Sequence, residues 1–374
     1  MRDATTFAPS RAVRGGAIST ALEPEWLVDA FMQNPPEQFG AAWIQVGNYC
    51  VPAFFCLYDL RTTLDDAQSG FMRWVRSSKW LGFLTSFRTT FIGTTVSEYA
   101  PVPHAEDSLR FVRSLIGHHS NSQLIIIKDV PKASPLLPGA VGYHAEALIE
   151  EAARQGYIIV EGQALAYVPI DFADIDEYMA KLSSRKRKEF RKKLKSKSRI
   201  SLQELRTGCA ELRDQRFVDK LYQLYVNVYE QSEIHFDKLS REFFGAVVCD
   251  QRNEGVLFVY NVDGEMIGWN LCFVHNNMLV DKYVGFAYPQ ARQYNLYFVS
   301  WFINLEFALS HRLTHYIAGW TDPQVKRSLG ARFTFTRHAV YIRNPLLRAI
   351  LAPIKNFFEA DANWSSQTET EAQS

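Results

Sequence analysis

The sequence predicts a mixed α/β fold of two similar halves, each a mixed sheet with helices, joined by a basic helix. Three observations predict it. Residues 255–342 read in the order β-β-β-α-β-α-β, an antiparallel meander feeding a βαβ crossover. Residues 41–170 run through a similar succession of strands, helix, strand, helix and strand. Residues 181–199 carry eleven lysines and arginines against only Glu189, on a helical pattern. At 374 residues, two domains are the better expectation.

The elements follow in order. Residues 1–22 are polar and small, and are expected to be disordered. Residues 41–46 and 51–60 read as strands, followed by an irregular aromatic stretch, 71–91. Residues 107–116 have helical periodicity, with Asp107 or Ser108 as N-cap. Leu124-Ile125-Ile126-Ile127 centres the most strand-like run, residues 123–129. Residues 143–155 read as a helix and 157–170 as one or two closing strands.

The basic segment opens on Asp171 and Asp174, a plausible N-cap and first-turn acid. Tyr178, Leu182, Phe190 and Leu194 make a thin apolar stripe at multiples of four, by which one face lies on the protein. Eleven like charges within about 28 Å of helix repel one another. Two readings stand: a solvated structural helix, or a collar for a polyanion such as RNA, an anionic membrane surface or a carrier protein.

In the second half, residues 216–230 and 240–249 read as amphipathic helices. Strands are expected at 256–261, 265–275 and 278–286, joined by turns at Asp263-Gly264 and Asn276-Asn277, residues that tolerate positive φ. A helix at 294–313, a short strand at 316–318, a short helix at 324–329 and a last strand at 333–342 complete it. In a βαβ unit the loop before the helix opens at the carboxyl end of the sheet, where unpaired amides and the helix dipole favour an anion. That opening carries Arg292, Gln293, Tyr294 and Asn295, and a phosphate-bearing ligand is the natural expectation. The apolar helix at 345–358 either packs as a terminal core helix or rests on a membrane surface. The tail from 360 is polar and acidic.

Composition excludes some classes. A net charge of +1 gives no global attraction to nucleic acid, so any basic function is local. Cys50, Cys56, Cys209, Cys249 and Cys272 are odd in number and sit mostly in apolar runs, reading as reduced core residues rather than a metal site or disulfide framework. The amino terminus has no apolar signal region, and no apolar run reaches the roughly 20 residues of a spanning helix. A cytoplasmic protein is expected, with the inner face of the membrane as a peripheral alternative.

The element order resembles the GNAT superfamily of N-acetyltransferases. Within it, residues 178–191 (Tyr-Met-Ala-Lys-Leu-Ser-Ser-Arg-Lys-Arg-Lys-Glu-Phe-Arg) resemble the basic helix of FemAB-like proteins and their CelD/BioF-like acetyltransferase relatives. Residues 236–244, Asp281-Lys282-Tyr283-Val284-Gly285 and Lys326-Arg327-Ser328-Leu329-Gly330 resemble further segments of that branch. The resemblance covers roughly residues 40–345 and implies two tandem GNAT-like domains. The expected division is a disordered start (1–22), a degenerate amino-terminal domain (23–170), the basic linking helix (171–204), a carboxyl-terminal acyltransferase domain (205–345), an amphipathic helix (346–359) and a disordered tail (360–374).

The resemblance implies transfer of an acyl group from acyl-CoA, or an acyl carrier protein, to a small-molecule or envelope-precursor amine, with no metal. Two alternatives are an aminoacyl-tRNA-dependent FemAB-type peptide transferase and a non-catalytic binder of an anionic polymer or membrane. Residues 290–297 contain no glycine, a departure from the usual GNAT phosphate loop, and the chain has no room for the FemAB helical arm. No G-x-S-x-G context appears, which favours direct attack over a covalent enzyme intermediate. Lys326 is the first candidate, by resemblance, for phosphate or oxyanion binding. Asp281 and Tyr283 are expected on one face of their strand as base and leaving-group acid. Asp322 reads as a helix cap, and His235 as a loop residue within reach of the acceptor. Trp269, Trp301 and Trp320 read as core or pocket walls.

Overall fold

The computed structural model describes residues 17–59, 85–119, 121–232 and 236–351. The chain divides into two units: Met1–Ala21, Phe31–Ala164 and Thr334–Ser374 form one, Leu22–Ala30 and Leu165–Phe333 the other.

In the first unit β1 (Gly40–Val46), β2 (Tyr49–Asp59) and β3 (Ser86–Ile92) form an antiparallel meander. The amino-terminal helix α1 (Glu25–Gln33) begins in the second unit and ends in the first. Helix α2 (Ser108–His118) carries the chain over to β4 (Leu124–Pro131), which pairs parallel to β3. Helix α3 (Gly139–Arg154) then leads into β5 (Ile158–Pro169). Asp107 is the N-cap of α2, but its carboxylate accepts from the Tyr49 hydroxyl instead of closing the cap. Val51, Ala53, Ile92, Phe111, Leu115, Ile125, Ile127 and Leu148 lie in the core.

In the second unit the basic segment is two helices, not one. The helix α4 (Ile175–Ala180) is capped by Asp174, whose carboxylate accepts from the Glu177 amide at 2.8 Å. The helix α5 (Ser184–Leu194) is capped by Ser183, and a 3₁₀ turn follows at Lys195–Arg199. Asp171 instead pairs with Lys181 at 2.6 Å. A serine hydroxyl competes for backbone amides and so starts a new helix where composition alone suggests continuation. The expected apolar stripe is present: Tyr178, Leu182 and Phe190 are buried, and Leu194 packs against the same core.

The remaining elements are β6 (Ser201–Arg206), α6 (Gln215–Gln231), α7 (Arg241–Val248), β7 (Gly255–Val262), β8 (Glu265–His275), β9 (Met278–Phe286), the single turn α8 (Gln290–Gln293), α9 (Leu296–Ser310), β10 (His315–Gly319), α10 (Pro323–Ser328), β11 (Arg332–Ile342) and α11 (Pro345–Leu351). Strands β6 to β9 pair antiparallel in succession, and β10 pairs parallel to β9. Both tight turns are built as expected, with Asp263, Gly264, Asn276 and Asn277 at positive φ.

The units differ from the expected domains through an exchange of strands. The chain enters the second unit within β5, whose carboxyl half pairs antiparallel with β10. It returns to the first unit within β11, which pairs antiparallel with β4. Each half thus completes the sheet of the other, so cuts at 170 and 345 do not coincide with compact units. The basic helices belong to the second unit, as do residues 22–30, where the Trp26 indole donates to Glu254. Strands β3 and β6 and helix α1 were not expected as elements. The expected tail falls outside the described residues, as do the first 16 residues.

Candidate active site

Strands β9 and β10 pair only from Met278 to Val280 and from His315 to Ile317. Beyond Val280, β9 continues to Phe286 beside β8 alone, so the two parallel strands part and open a fork at the carboxyl end of β10. Asp281 is the first residue past the last pair. It is partly buried, and Oδ2 accepts from the Tyr316 hydroxyl and from Asn304 Nδ2, both at 3.0 Å. Its Oδ1 is buried and has no partner at ordinary hydrogen-bond geometry among the described residues, though the Asn270 and Cys272 side chains also act on the carboxyl.

The surrounding polar side chains form one chain of bonds. Asn304 of α9 also donates to the Tyr316 oxygen at 3.0 Å and accepts from Asn270 Nδ2 at 3.0 Å. Asn270 in turn accepts from the Tyr260 hydroxyl and reaches the Cys272 sulfur at 3.1 Å. Asn270 and Asn304 are wholly buried, and polar groups so placed are costly unless each is satisfied. Burial pushes the Asp281 carboxyl up to about 6, opposed by the Tyr316 hydrogen bond and the Lys326 charge. Burial also raises the Tyr316, Tyr260 and Cys272 groups well above their ordinary values, so they stay protonated.

Lys326 is buried, at 4% exposure, on the short helix α10. Its Nζ lies 3.9 Å from where a side chain on Gly319 would begin, as does the Asp281 carbonyl. Gly319, at φ +79°, therefore leaves the space between them open. Gly330, which closes the Lys326-x-x-x-Gly330 segment, has φ +96°, and a Cβ there would meet Leu182 at 3.0 Å and the Tyr178 oxygen at 3.1 Å. Tyr178 donates to the Leu329 carbonyl and accepts from the Trp301 indole at 3.3 Å, tying α4 to this turn. Asp322 holds the N-cap position of α10 in the left-handed region, but its side chain makes no cap bond. It acts instead on Tyr297 and Tyr288, whose hydroxyls burial and the Asp322 charge hold protonated. The Tyr297 hydroxyl is buried and has no hydrogen-bond partner among the described residues, and Asp281 adds to the same effect.

The structure brings together Asp281 and Lys326 but not Tyr283. The β8–β9 register pairs Cys272 with Asp281 and Leu271 with Tyr283, leaving Lys282 as an extra residue. That bulge reverses the alternation, so Tyr283 faces the other side of the sheet, where it meets Phe243 of α7 edge-on at 6.2 Å. The expected phosphate cradle is likewise not formed. The amides of Arg292, Gln293, Tyr294 and Asn295 already donate to the carbonyls of Pro289, Pro289, Gln290 and Arg292, because this loop is a helical turn. Arg292 bonds Gln231 and stacks on Tyr288, Tyr294 takes a hydrogen bond from Arg199, and Asn295 reaches Ser196. Gln293 is exposed. His235 lies outside the described residues.

Trp269 is core, donating to the Leu221 carbonyl, and Trp301 packs edge-on against Tyr316 at 5.1 Å. Asn270, Asn304, Tyr297 and Tyr316 were missed; the available signal was an asparagine inside each of two otherwise apolar runs. In the first unit His104, Glu106 and His144 each offer a ligand atom within 4.8 Å of the others. His144 Nδ1, however, accepts from the Ala105 amide at 3.0 Å. The neutral ring then carries its proton on Nε2 and has no free lone pair for a metal.

A family model described as FemAB-like, peptidoglycan biosynthesis/recognition, matches residues 119–373. The chain belongs to the FemAB-like family. Three solved structures share its fold at low identity. The carboxyl-terminal domain of a putative lysylphosphatidylglycerol synthetase from Agrobacterium fabrum is 11% identical, with a TM-score of 0.50 over 87% of this chain and 93% of its own. L-PGS from Bacillus licheniformis is 9% identical, with a TM-score of 0.51 over 91% and 98%. FemX is 10% identical, with a TM-score of 0.51 over 91% and 96%. No curated protein matches the sequence. The FemAB-like assignment accords with a mixed α/β architecture of two tandem GNAT-like parts.

Proposed function

We propose that this FemAB-like protein transfers an acyl or aminoacyl group from an activated ester or thioester to an amine, by direct attack at the β9–β10 fork. The amine nitrogen bonds to the acyl carbon, the ester or thioester bond breaks, and the proton lost by the amine passes in net to the leaving group. Asp281 takes the amine proton; a carboxyl held near 6 is ionised at neutral pH yet basic enough to accept it. The Lys326 ammonium stabilises the negative charge that develops on the carbonyl oxygen. Tyr297, its hydroxyl buried, protonated and without a hydrogen-bond partner among the described residues, supplies the proton to the leaving group in the place expected of Tyr283.

The observation that carries this reading is the Asp281 carboxylate, held by Tyr316 and Asn304 through Oδ2, its Oδ1 buried, within the field of a buried Lys326. Acyl-CoA and aminoacyl-tRNA both present an activated acyl carbon, and the same residues serve either. With the four amides of residues 292–295 spent, a CoA pyrophosphate would rest on side chains instead. The family's description supports an envelope-precursor amine as acceptor. The test is to incubate purified protein with acetyl-CoA, a long-chain acyl-CoA or an aminoacyl-tRNA plus a panel of amines, and follow N-acylated product by mass. Product from one donor class, reduced about 10²–10⁴-fold in Asp281→Asn, is expected. No product from any donor, or product unaffected by the substitution, would contradict it.

A further inference from the structure

We infer that the outer face of α5 is a docking surface for an anionic lipid bilayer. Of the eleven cations between Lys181 and Arg199, six are engaged. Lys181 pairs with Asp171, Arg191 with Asp176, Lys193 with Glu189 and Lys197 with Glu306. Arg187 bonds the Ala180 and Leu182 carbonyls, and Arg199 bonds Tyr294. The other five, Arg185, Lys186, Lys188, Lys192 and Lys195, make no side-chain hydrogen bond or ion pair among the described residues; Lys186 is half-buried, and Arg185, Lys188, Lys192 and Lys195 are exposed. The spacing of these four exposed cations, three, four and three, places them on one helical face, in a row roughly 15 Å long. That row lies away from the buried Phe190.

The chemistry of this face points to a bilayer surface. The apolar stripe of the helix is consumed by the protein's own core, so the helix cannot insert and any contact is electrostatic and superficial. The row runs along one exposed side of the helix, which suits a plane of headgroups. A nucleic-acid track adds aromatic platforms for the bases, and the one aromatic residue of α5, Phe190, is buried. Three of the four exposed cations are lysines, point charges suited to a diffuse anionic surface rather than to bidentate recognition. With a net charge of only +1, the molecule has no long-range pull of its own, so the patch itself must do the steering. Each cation at such a surface strengthens partitioning roughly fivefold, so four amount to several-hundredfold.

The inference is independent of the donor. It is tested with the full chain by cosedimentation with phosphatidylcholine vesicles, alone or mixed with phosphatidylglycerol, at low and physiological ionic strength. The variant carries Arg185→Gln, Lys188→Gln, Lys192→Gln and Lys195→Gln; Lys220→Gln on α6 is the control, and binding to transfer RNA is measured in parallel. Binding only to the anionic vesicles, weakened by salt, lost in the quadruple variant and kept in the control is expected. No binding to anionic vesicles at low salt overturns the inference, as does binding that survives the four substitutions. Loss of RNA binding in the quadruple variant, with no vesicle binding by the parent, assigns the face to nucleic acid and also overturns it. All four side chains project into solvent, and an unchanged unfolding temperature verifies that the variant is folded.

Discussion

Asp281 and Tyr283 stand two residues apart on β9 yet face opposite sides of its sheet, because Lys282 is the extra residue of a bulge opposite Leu271 and Cys272. One side chain enters the fork among Asn304, Tyr316 and Lys326; the other packs on α7. The two tyrosines therefore make opposite predictions. Tyr297→Phe should lower the transfer rate roughly 10²-fold, with the larger loss on donors of poor leaving group. Tyr283→Phe should leave the rate within about twofold, since a substitution away from the reacting atoms removes no transition-state interaction. Single-turnover rates of the two variants separate them.

Lys326→Met keeps an apolar stem of similar length and removes the charge beside Asp281. A loss of about 10²–10³ in kcat is expected, the usual consequence of losing one donor to a developing oxyanion. The second effect is more diagnostic. The Lys326 charge lowers the Asp281 pKa, so its removal should move the acid limb of the rate profile to higher pH. A limb that stays in place would show that Lys326 does not act on the carboxylate.

The raised Asp281 pKa also couples folding to pH. The carboxyl binds its proton more tightly in the folded chain, near 6, than at its ordinary 3.8. Between those values the folded state holds a proton that the unfolded state has lost, so this contribution to stability is present below about 4 and lost as pH rises through about 6. Asp281→Asn removes the effect. The unfolding temperature of the variant relative to the parent should therefore rise across that window and level off above it.

The fork rests on its asparagines. Asn304→Ala strips donors from Asp281 and Tyr316 and an acceptor from Asn270, and should destabilise by more than about 2 kcal/mol in denaturant unfolding. Tyr178→Phe leaves the Leu329 carbonyl and the Trp301 indole without their partner, and about 1–3 kcal/mol is expected.

Much of this was legible in the sequence, and the rest was not, for physical reasons. Local chemistry reported itself: Asp263-Gly264 and Asn276-Asn277 fixed two hairpins, and strands 265–275 and 278–286 have the expected bounds. Lys326 and Asp281 were picked out, and they lie close enough for the Lys326 charge to act on the carboxyl. The bulge at Lys282 was invisible because it exists only in the register against β8, a pairing between strands. The turn at Arg292 read as an open loop, since nothing in Gln290–Gln293 reveals that its amides close on themselves. Strands β5 and β11 were each assigned to their own half, whereas each completes the other's sheet. Such long-range pairing leaves no periodic trace. Asn270 and Asn304, single polar residues in apolar runs, were the readable sign of the buried network.

The most direct test of the central claim is the pH dependence of kcat/KM for acyl transfer, measured from about pH 5 to 8 in the parent and in Asp281→Asn. The parent should lose activity below a midpoint near 6, the value at which burial holds the Asp281 carboxyl, and the variant should be slow without that limb. A parent midpoint near the ordinary carboxylate value, or a limb that persists in the variant, would contradict Asp281 as the base.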